Sequence, residues 1–155
     1  MDSCLTLFLG GTCGDSNWRD DIIPLLEHEK LSYFNPVVSD WDNAAQENER
    51  LIKESPLTVE LYFITSDMLG VFSIAEVADS SNKKPNKTIL YIQRNGFDVG
   101  QLKSLDAVAD LVTNNNAYVS TSMFDIVMHF KSIELAYRAK RISVLARKKI
   151  LSWNP

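Results

Sequence analysis

The chain has 155 residues, 45% of them hydrophobic and 23% charged, with a formal net charge of -4 at pH 7. This length and composition are typical of an ordinary globular protein, so we expect one domain over residues 1–155. The acidic balance argues against nucleic-acid binding, which requires a basic face. No apolar stretch approaches the ~20 residues of a membrane helix, and no basic segment of a signal peptide is present. We therefore expect a cytoplasmic protein without membrane or nucleic-acid partners.

The cysteines and histidines do not indicate a metal site. Cys4 and Cys13 lack the spacing of metal ligands, and His28 and His129 are isolated on predicted helices. Buried or incidental thiols and ordinary histidines are the simpler interpretation. We expect neither a metal nor a cofactor.

The first chain segment predicts a strand, a glycine-rich turn and a helix. An apolar run over residues 4–9 leads into glycines within residues 10–14, and a helical pattern begins near Asn17. Such a turn can present backbone amides to a polar or anionic ligand, although its glycine order is not that of a dinucleotide-binding motif or a P-loop. A tight turn that needs glycine is an equally good interpretation. Arg19, in the first helical turn, is either a ligand contact or a partner of a nearby aspartate.

The second segment predicts a strand over residues 31–38 that ends with Asn35-Pro36. Asp40 and Trp41 follow in a loop, where the indole could stack on a nucleobase while the carboxylate hydrogen-bonds to it. The same loop could instead supply the N-cap of the next helix, and Asp42 is mainly such a cap.

The third segment contains the residue most suited to chemistry. An apolar, β-branched run over residues 57–64 predicts a buried strand, and a polar loop with Asp67 and Gly70 leads to a helix beginning at Ser73. Ligands of open α/β sheets bind beyond the carboxyl ends of strands, where Glu76 would lie. Ser73 and Glu76 also have the spacing of a capping box, and this structural role competes with a catalytic one.

Two further strands alternate with helices, and the last helix spans about thirty residues. Five such alternations predict a flavodoxin-like (Rossmann-like) α/β fold, with a five-stranded parallel sheet in the order 2-1-3-4-5 and a long C-terminal helix. Strands 1 and 3 would then be neighbours, so the glycine-rich loop would face the loop before Glu76. The last helix has two apolar stripes and one sheet can cover only one, so we expect a homo-oligomer.

Three motifs in order resemble the nucleoside 2-deoxyribosyltransferase-like family. They are GGTCGDSNWR at 10–19, YFNPVVSDW at 33–41 and DMLGVFSIAEV at 67–77. In the characterised transferases a glutamate after the third strand attacks the anomeric carbon of a 2'-deoxynucleoside, and Glu76 matches it. The resemblance implies transfer of 2-deoxyribose between nucleobases through a covalent glutamyl intermediate, without a cofactor.

The resemblance also implies a second acid, which must protonate the departing base. The family's aspartate about six residues before the nucleophile is replaced here by Gly70, so Asp67 or Asp40 would take that role. The implied substrate is a nucleoside or nucleotide, and the implied contacts are Gly10, Gly11, Thr12, Arg19, Asn35, Pro36, Trp41, Gly70 and Ser73.

Two other functions remain open on the sequence. Relatives with the same nucleophile hydrolyse nucleoside 5'-monophosphates, and Arg19, Ser73 and the glycine-rich loop could hold the phosphate. A non-catalytic nucleotide-binding module would keep the crevice but not the acid.

Overall fold

The computed structural model describes residues 4–40 and 42–151, with only the backbone for residues 150 and 151. Trp41, a predicted substrate contact, lies outside the described residues. The strands and helices are β1 (Thr6–Gly11), α1 (Trp18–His28), β2 (Ser32–Phe34), α2 (Asn43–Glu54), β3 (Thr58–Ile64), α3 (Phe72–Lys83), β4 (Thr88–Ile92), α4 (Val99–Asn114), β5 (Tyr118–Val119) and α5 (Met123–Leu151).

The strands form one parallel sheet in the order β2-β1-β3-β4-β5, which confirms the predicted α/β fold and its strand order. β1 pairs with β3 so that Gly11 lies opposite Phe63. The carboxyl ends of these two strands therefore meet at one edge of the sheet, at the point where the strand order reverses. Within the described residues, no helix is long and apolar enough to cross a membrane.

The core consists of two apolar layers, one on each face of the sheet. All seven residues of β3 are buried, as expected for a central parallel strand covered on both faces. One layer contains residues of α1 and α5, including Ile22, Ile126 and Phe130, and the other contains residues of α3 and α4, including Val77 and Val112. The long α5 thus covers the sheet with its first turns.

The end of β1 explains part of the glycine-rich segment. Gly10 and Gly11 are the last residues of the strand, not of the following loop. Gly11 has a φ of +117°, and a Cβ atom there would lie 2.1 Å from the carbonyl oxygen of Phe63. The position needs glycine because a side chain would be strained and would collide with the backbone of β3.

The predicted capping box of Ser73 and Glu76 is wrong. Helix α3 begins one residue earlier, at Phe72, and its N-cap Val71 forms no side-chain cap. Ser73 is therefore inside the first turn, and the Glu76 carboxylate bonds to Lys53 of α2 instead of a backbone amide. Lys53 is distant from Glu76 along the chain, so the spacing of Ser73 and Glu76 could not reveal this partner. By contrast, Asp42 caps α2 as predicted, accepting from the amide of Ala45 at 2.8 Å.

Candidate active site at the carboxyl edge of β1 and β3

A cavity of about 510 Å³ opens at the carboxyl edge of β1, beside the first turns of α3. We call it the β1–α3 cavity. Glycines that end or follow β1 form one wall, apolar side chains form others, and three charged side chains reach it. Its lining residues are Phe8, Gly10, Gly11, Cys13, Gly14, Arg19, Pro36, Val37, Val38, Glu49, Phe72, Ser73 and Glu76.

Glu76 lies in the second turn of α3 and forms an ion pair with Lys53 near the end of α2. The contact joins Glu76 Oε1 to Lys53 Nζ. Both side chains are largely enclosed, with 22% of Glu76 and 18% of Lys53 exposed. The Lys53 ammonium also lies 5.2 Å from the ring centroid of Phe8 and 5.6 Å from that of Tyr62. The candidate nucleophile is thus held by a cation that is itself held by two aromatic rings.

Glu49 is a second carboxyl group in the same cavity, and no motif or spacing in the sequence indicates it. It precedes Lys53 by four residues on α2, so the two side chains lie on one face of the helix. The pKa of Glu49 is raised, and burial is the main cause. The charge of Lys53 lowers this pKa, the charge of Glu76 raises it, and the charge of Arg19 lowers it by the smallest amount. A partly buried carboxyl with a raised pKa suits a proton donor.

Arg19 is buried and its guanidinium donates to backbone carbonyls. Nη2 lies 2.9 Å from the carbonyl oxygen of Leu9, and Nη1 lies 2.9 Å from that of Thr12. The guanidinium also lies over the Trp18 ring, 4.3 Å from its centroid, and burial lowers the pKa of Arg19. Arg19 lines the cavity, but these bonds give it a clear structural task, which is to fix the end of β1.

Three other predicted contacts surround the loops after β1 and β3. The buried Thr12 hydroxyl accepts from the amide of Thr65 at 2.9 Å and so ties the two loops together. Thr12, Gly70 and Ser73 line a smaller neighbouring cavity of about 250 Å³, and Ser73 borders the β1–α3 cavity as well. Gly70 itself is exposed.

The two aspartates predicted to protonate the base do not line the β1–α3 cavity. Asp67 and Asp40 are both exposed, and the Asp67 carboxylate interacts with the Thr65 hydroxyl at 3.4 Å. Asn35 uses its side-chain oxygen to accept from the amide of Val37, whereas its neighbour Pro36 reaches the cavity wall. The structure therefore brings Gly10, Gly11, Arg19, Pro36, Ser73 and Glu76 together at one cavity.

A second cavity, of about 620 Å³, lies between α2 and α3 and is also bordered by Glu49 and Glu76. Lys53, the partner of Glu76, borders this second cavity as well. The remaining charged groups are matched in pairs: Lys84 with the fully buried Glu60, Arg50 with Glu54, and Lys83 with Asp79. In the described part of the chain, no group of three or more histidine, cysteine or acidic side chains could hold a metal ion.

Comparison with known proteins supports the family resemblance. The family model described as nucleoside 2-deoxyribosyltransferase like matches residues 4–92, which include β1 to β4 and every lining residue of the β1–α3 cavity. No curated protein and no solved structure matches the chain significantly.

Proposed function

Because the chain belongs to the nucleoside 2-deoxyribosyltransferase-like family, we propose that it transfers 2-deoxyribose between nucleobases, with Glu76 as the nucleophile. One observation carries the proposal: the Glu76 carboxylate and the Glu49 carboxyl share the cavity at the switch point of the sheet. Two carboxyl groups in one cavity, one as nucleophile and one as proton donor, are what cleavage of a glycosidic bond with retention requires.

In the first step, an oxygen of Glu76 attacks the anomeric carbon of a 2'-deoxynucleoside. The bond from this carbon to the base nitrogen breaks, and its electron pair leaves with the base. Glu49 donates its proton to the departing base, and the sugar remains as an ester of Glu76. Glu49 takes the role that the sequence suggested for Asp67 or Asp40, because it lines the cavity and they do not.

In the second step, a nitrogen of the incoming base attacks the same carbon, the ester bond breaks, and Glu76 regains its carboxylate. The ionised Glu49 accepts the proton that the incoming base loses. Phe72, Val37 and Val38 supply apolar walls against which either base can pack.

The charges of the cavity favour a nucleoside over a nucleoside monophosphate. The charged side chains on the described wall are Arg19, Glu49 and Glu76, and Arg19 already donates to the carbonyls of Leu9 and Thr12. A phosphate would meet the Glu76 carboxylate and a guanidinium engaged elsewhere. We therefore place uncharged deoxynucleosides first among the substrates.

Hydrolysis of the same nucleoside is the second candidate function. The side chains at the cavity mouth are open to solvent, with 74% of Phe72 and 55% of Val37 exposed. Water can then reach the ester and replace the incoming base, releasing free deoxyribose while Glu49 accepts the proton of water.

The test is intact-protein mass spectrometry after brief incubation with a panel of 2'-deoxynucleosides and their monophosphates, with chromatography of free and exchanged bases. We expect a deoxyribosyl adduct on the wild-type protein and exchange when a second base is added. Glu76→Gln removes the nucleophile but keeps the shape, so turnover should fall at least about 1,000-fold and the adduct should disappear. Asp79→Asn, an exposed acid on the same helix, is the matched control and should keep wild-type turnover.

Each outcome separates the functions. Free base without exchange establishes the hydrolase. Faster turnover of a monophosphate than of its nucleoside contradicts the preference for an uncharged substrate. If neither base nor adduct appears across the panel, the catalytic proposal is wrong and the binding module replaces it.

A further inference from the structure

Lys53, like Glu49, is less exposed than the remaining charged side chains of α2. Only 18% of its side chain is exposed, whereas Arg50, Glu47 and Glu54 are more than half exposed. Helix α2 contains no buried residue, so its packing on the rest of the molecule does not itself explain an enclosed lysine. The enclosure follows from the direction of the side chain, which reaches across to Glu76 of α3.

The position of Lys53 is fixed at both ends of the residue. Its ammonium lies near the rings of Phe8 and Tyr62, which belong to the two central strands. Its backbone carbonyl accepts from Lys84 Nζ at 3.0 Å, and Lys84 is paired in turn with the buried Glu60. Lys53 is therefore anchored independently of Glu76.

The contact with Lys53 distinguishes the two oxygens of Glu76. Lys53 Nζ bonds to Oε1, and no donor from the described part of the chain bonds to Oε2. An oxygen without a competing hydrogen bond is the better nucleophile, and the direction of the carboxylate is set by the other oxygen.

We propose that Lys53 is a positioning residue for the deoxyribosyl transfer: it holds Glu76 through Oε1, directs Oε2 to the sugar, and becomes the counter-charge of Glu49 once Glu76 is an ester. This inference rests on the proposed function.

The charges change in a fixed order through the reaction. Before attack, the negative charge of Glu76 pairs with Lys53 and favours the protonated form of Glu49, because it raises the pKa of Glu49. Once Glu76 is an ester its charge is gone, while Lys53 and Arg19 still lower the pKa of Glu49. Glu49 therefore stays ionised after its proton has left with the departing base, until the incoming base supplies another. Lys53 on α2, Glu76 on α3 and Arg19 on α1 are the charged groups that act on Glu49.

The test compares Lys53→Met, which removes the charge but keeps much of the stem, with Lys53→Arg, which keeps the charge. Release of base from a 2'-deoxynucleoside is measured across pH. For Lys53→Met we expect kcat to fall about 100-fold with KM changed less than about threefold, because the carboxylate loses its alignment. In the plot of rate against pH, activity falls on the alkaline side as Glu49 loses its proton. This alkaline limb should move to higher pH in Lys53→Met, because the variant lacks a positive charge that lowers the Glu49 pKa.

Lys53→Arg should recover part of kcat and keep the alkaline limb at the wild-type pH. Lys83→Met is the matched control, since Lys83 pairs with Asp79 on α3 away from the β1–α3 cavity, and its kcat and pH profile should equal those of wild type. If Lys53→Met does not fold, Lys53→Gln removes the same charge and is measured in its place.

The failures are distinguishable. Two results with an active wild type would show that Lys53 only stabilises the fold. One is a charge-removing variant whose pH–rate profile keeps its alkaline limb at the wild-type pH. The other is a Lys53→Arg variant that loses as much kcat as Lys53→Met while neither variant changes the pH profile. A wild type that neither releases base nor forms an adduct overturns the proposed function, and this role of Lys53 with it.

Discussion

Arg19 is a cation in the first turn of α1, where the helix dipole disfavours positive charge. Its guanidinium compensates by bonding to the carbonyl oxygens of Leu9 and Thr12 at the end of β1. These carbonyls are buried beside the cavity, and the bonds from Arg19 satisfy them at the place where the strand stops. At the scale of a single residue, an arginine that looks like a ligand contact acts first as a support for the cavity wall.

Arg19→Met should therefore lower the free energy of unfolding by about 2–4 kcal/mol, because buried carbonyls lose charged donors. Arg50→Met is the control: its ion pairs with Glu47 and Glu54 are exposed, so we expect a loss below about 1 kcal/mol. Urea denaturation followed by circular dichroism measures both. If the free energy of unfolding of Arg19→Met equals that of wild type, Arg19 does not support the cavity wall and only its role as a ligand contact is left.

At the scale of elements, the contact of β1 with β3 decides the shape of the cavity. Gly11 must approach the Phe63 backbone closely, whereas Gly70 in the loop after β3 has open space around its Cβ position. Both glycines line cavities at the same edge of the sheet, but the backbone excludes a side chain at Gly11 and leaves room for one at Gly70. Only the first is required by the sheet.

Gly11→Ala should destabilise the protein by at least about 2 kcal/mol, because its positive φ and its contact with β3 both oppose a side chain. Gly70→Ala should be neutral or stabilise by up to about 1 kcal/mol, since it restricts the unfolded chain without a clash. Thermal unfolding of the pair checks this. Equal loss of stability in both variants would show that β1 and β3 are not as closely opposed as described.

At the scale of the whole molecule, α5 extends beyond the surface it covers. Ile126 and Phe130 of the first stripe are buried against the sheet, but 57% of Leu135 and 68% of Ile142 of the second stripe are exposed. The neighbouring Leu145 is also 59% exposed. The sheet thus covers the first part of one stripe, and the other stripe remains open. The predicted homo-oligomer stays a prediction that rests on this open stripe.

We expect the wild type to sediment as an oligomer and the double variant Ile142→Asp, Leu145→Asp to sediment as a smaller species, because two buried carboxylates would oppose association. Val99→Asp places the same charge on an exposed apolar residue of α4 and should not change the sedimentation coefficient. Sedimentation velocity at several concentrations measures the effect. A monomeric wild type contradicts the expectation.

The local predictions that succeeded depend on short-range patterns. The run over residues 57–64 predicted β3, and the carboxylate of Asp42 predicted the start of α2. The capping box of Ser73 and Glu76 failed although its spacing was correct, because α3 starts at Phe72 and Lys53 of another helix takes the glutamate. Local spacing cannot tell which of two partners a side chain will reach.

The order of residues along the chain predicts the alternation of strands and helices, a parallel sheet in the order observed, and, through the motifs around Glu76, the family. These depend on apolar periodicity and on contiguous motifs, which are visible without coordinates. Only the tertiary structure brought Glu49 and Lys53 of α2 to Glu76 and turned Arg19 onto the end of β1. The reason is physical: α2 looks like an ordinary charged surface helix along the chain, and the partner of each of its charges is set by how it packs across the carboxyl edge of the sheet.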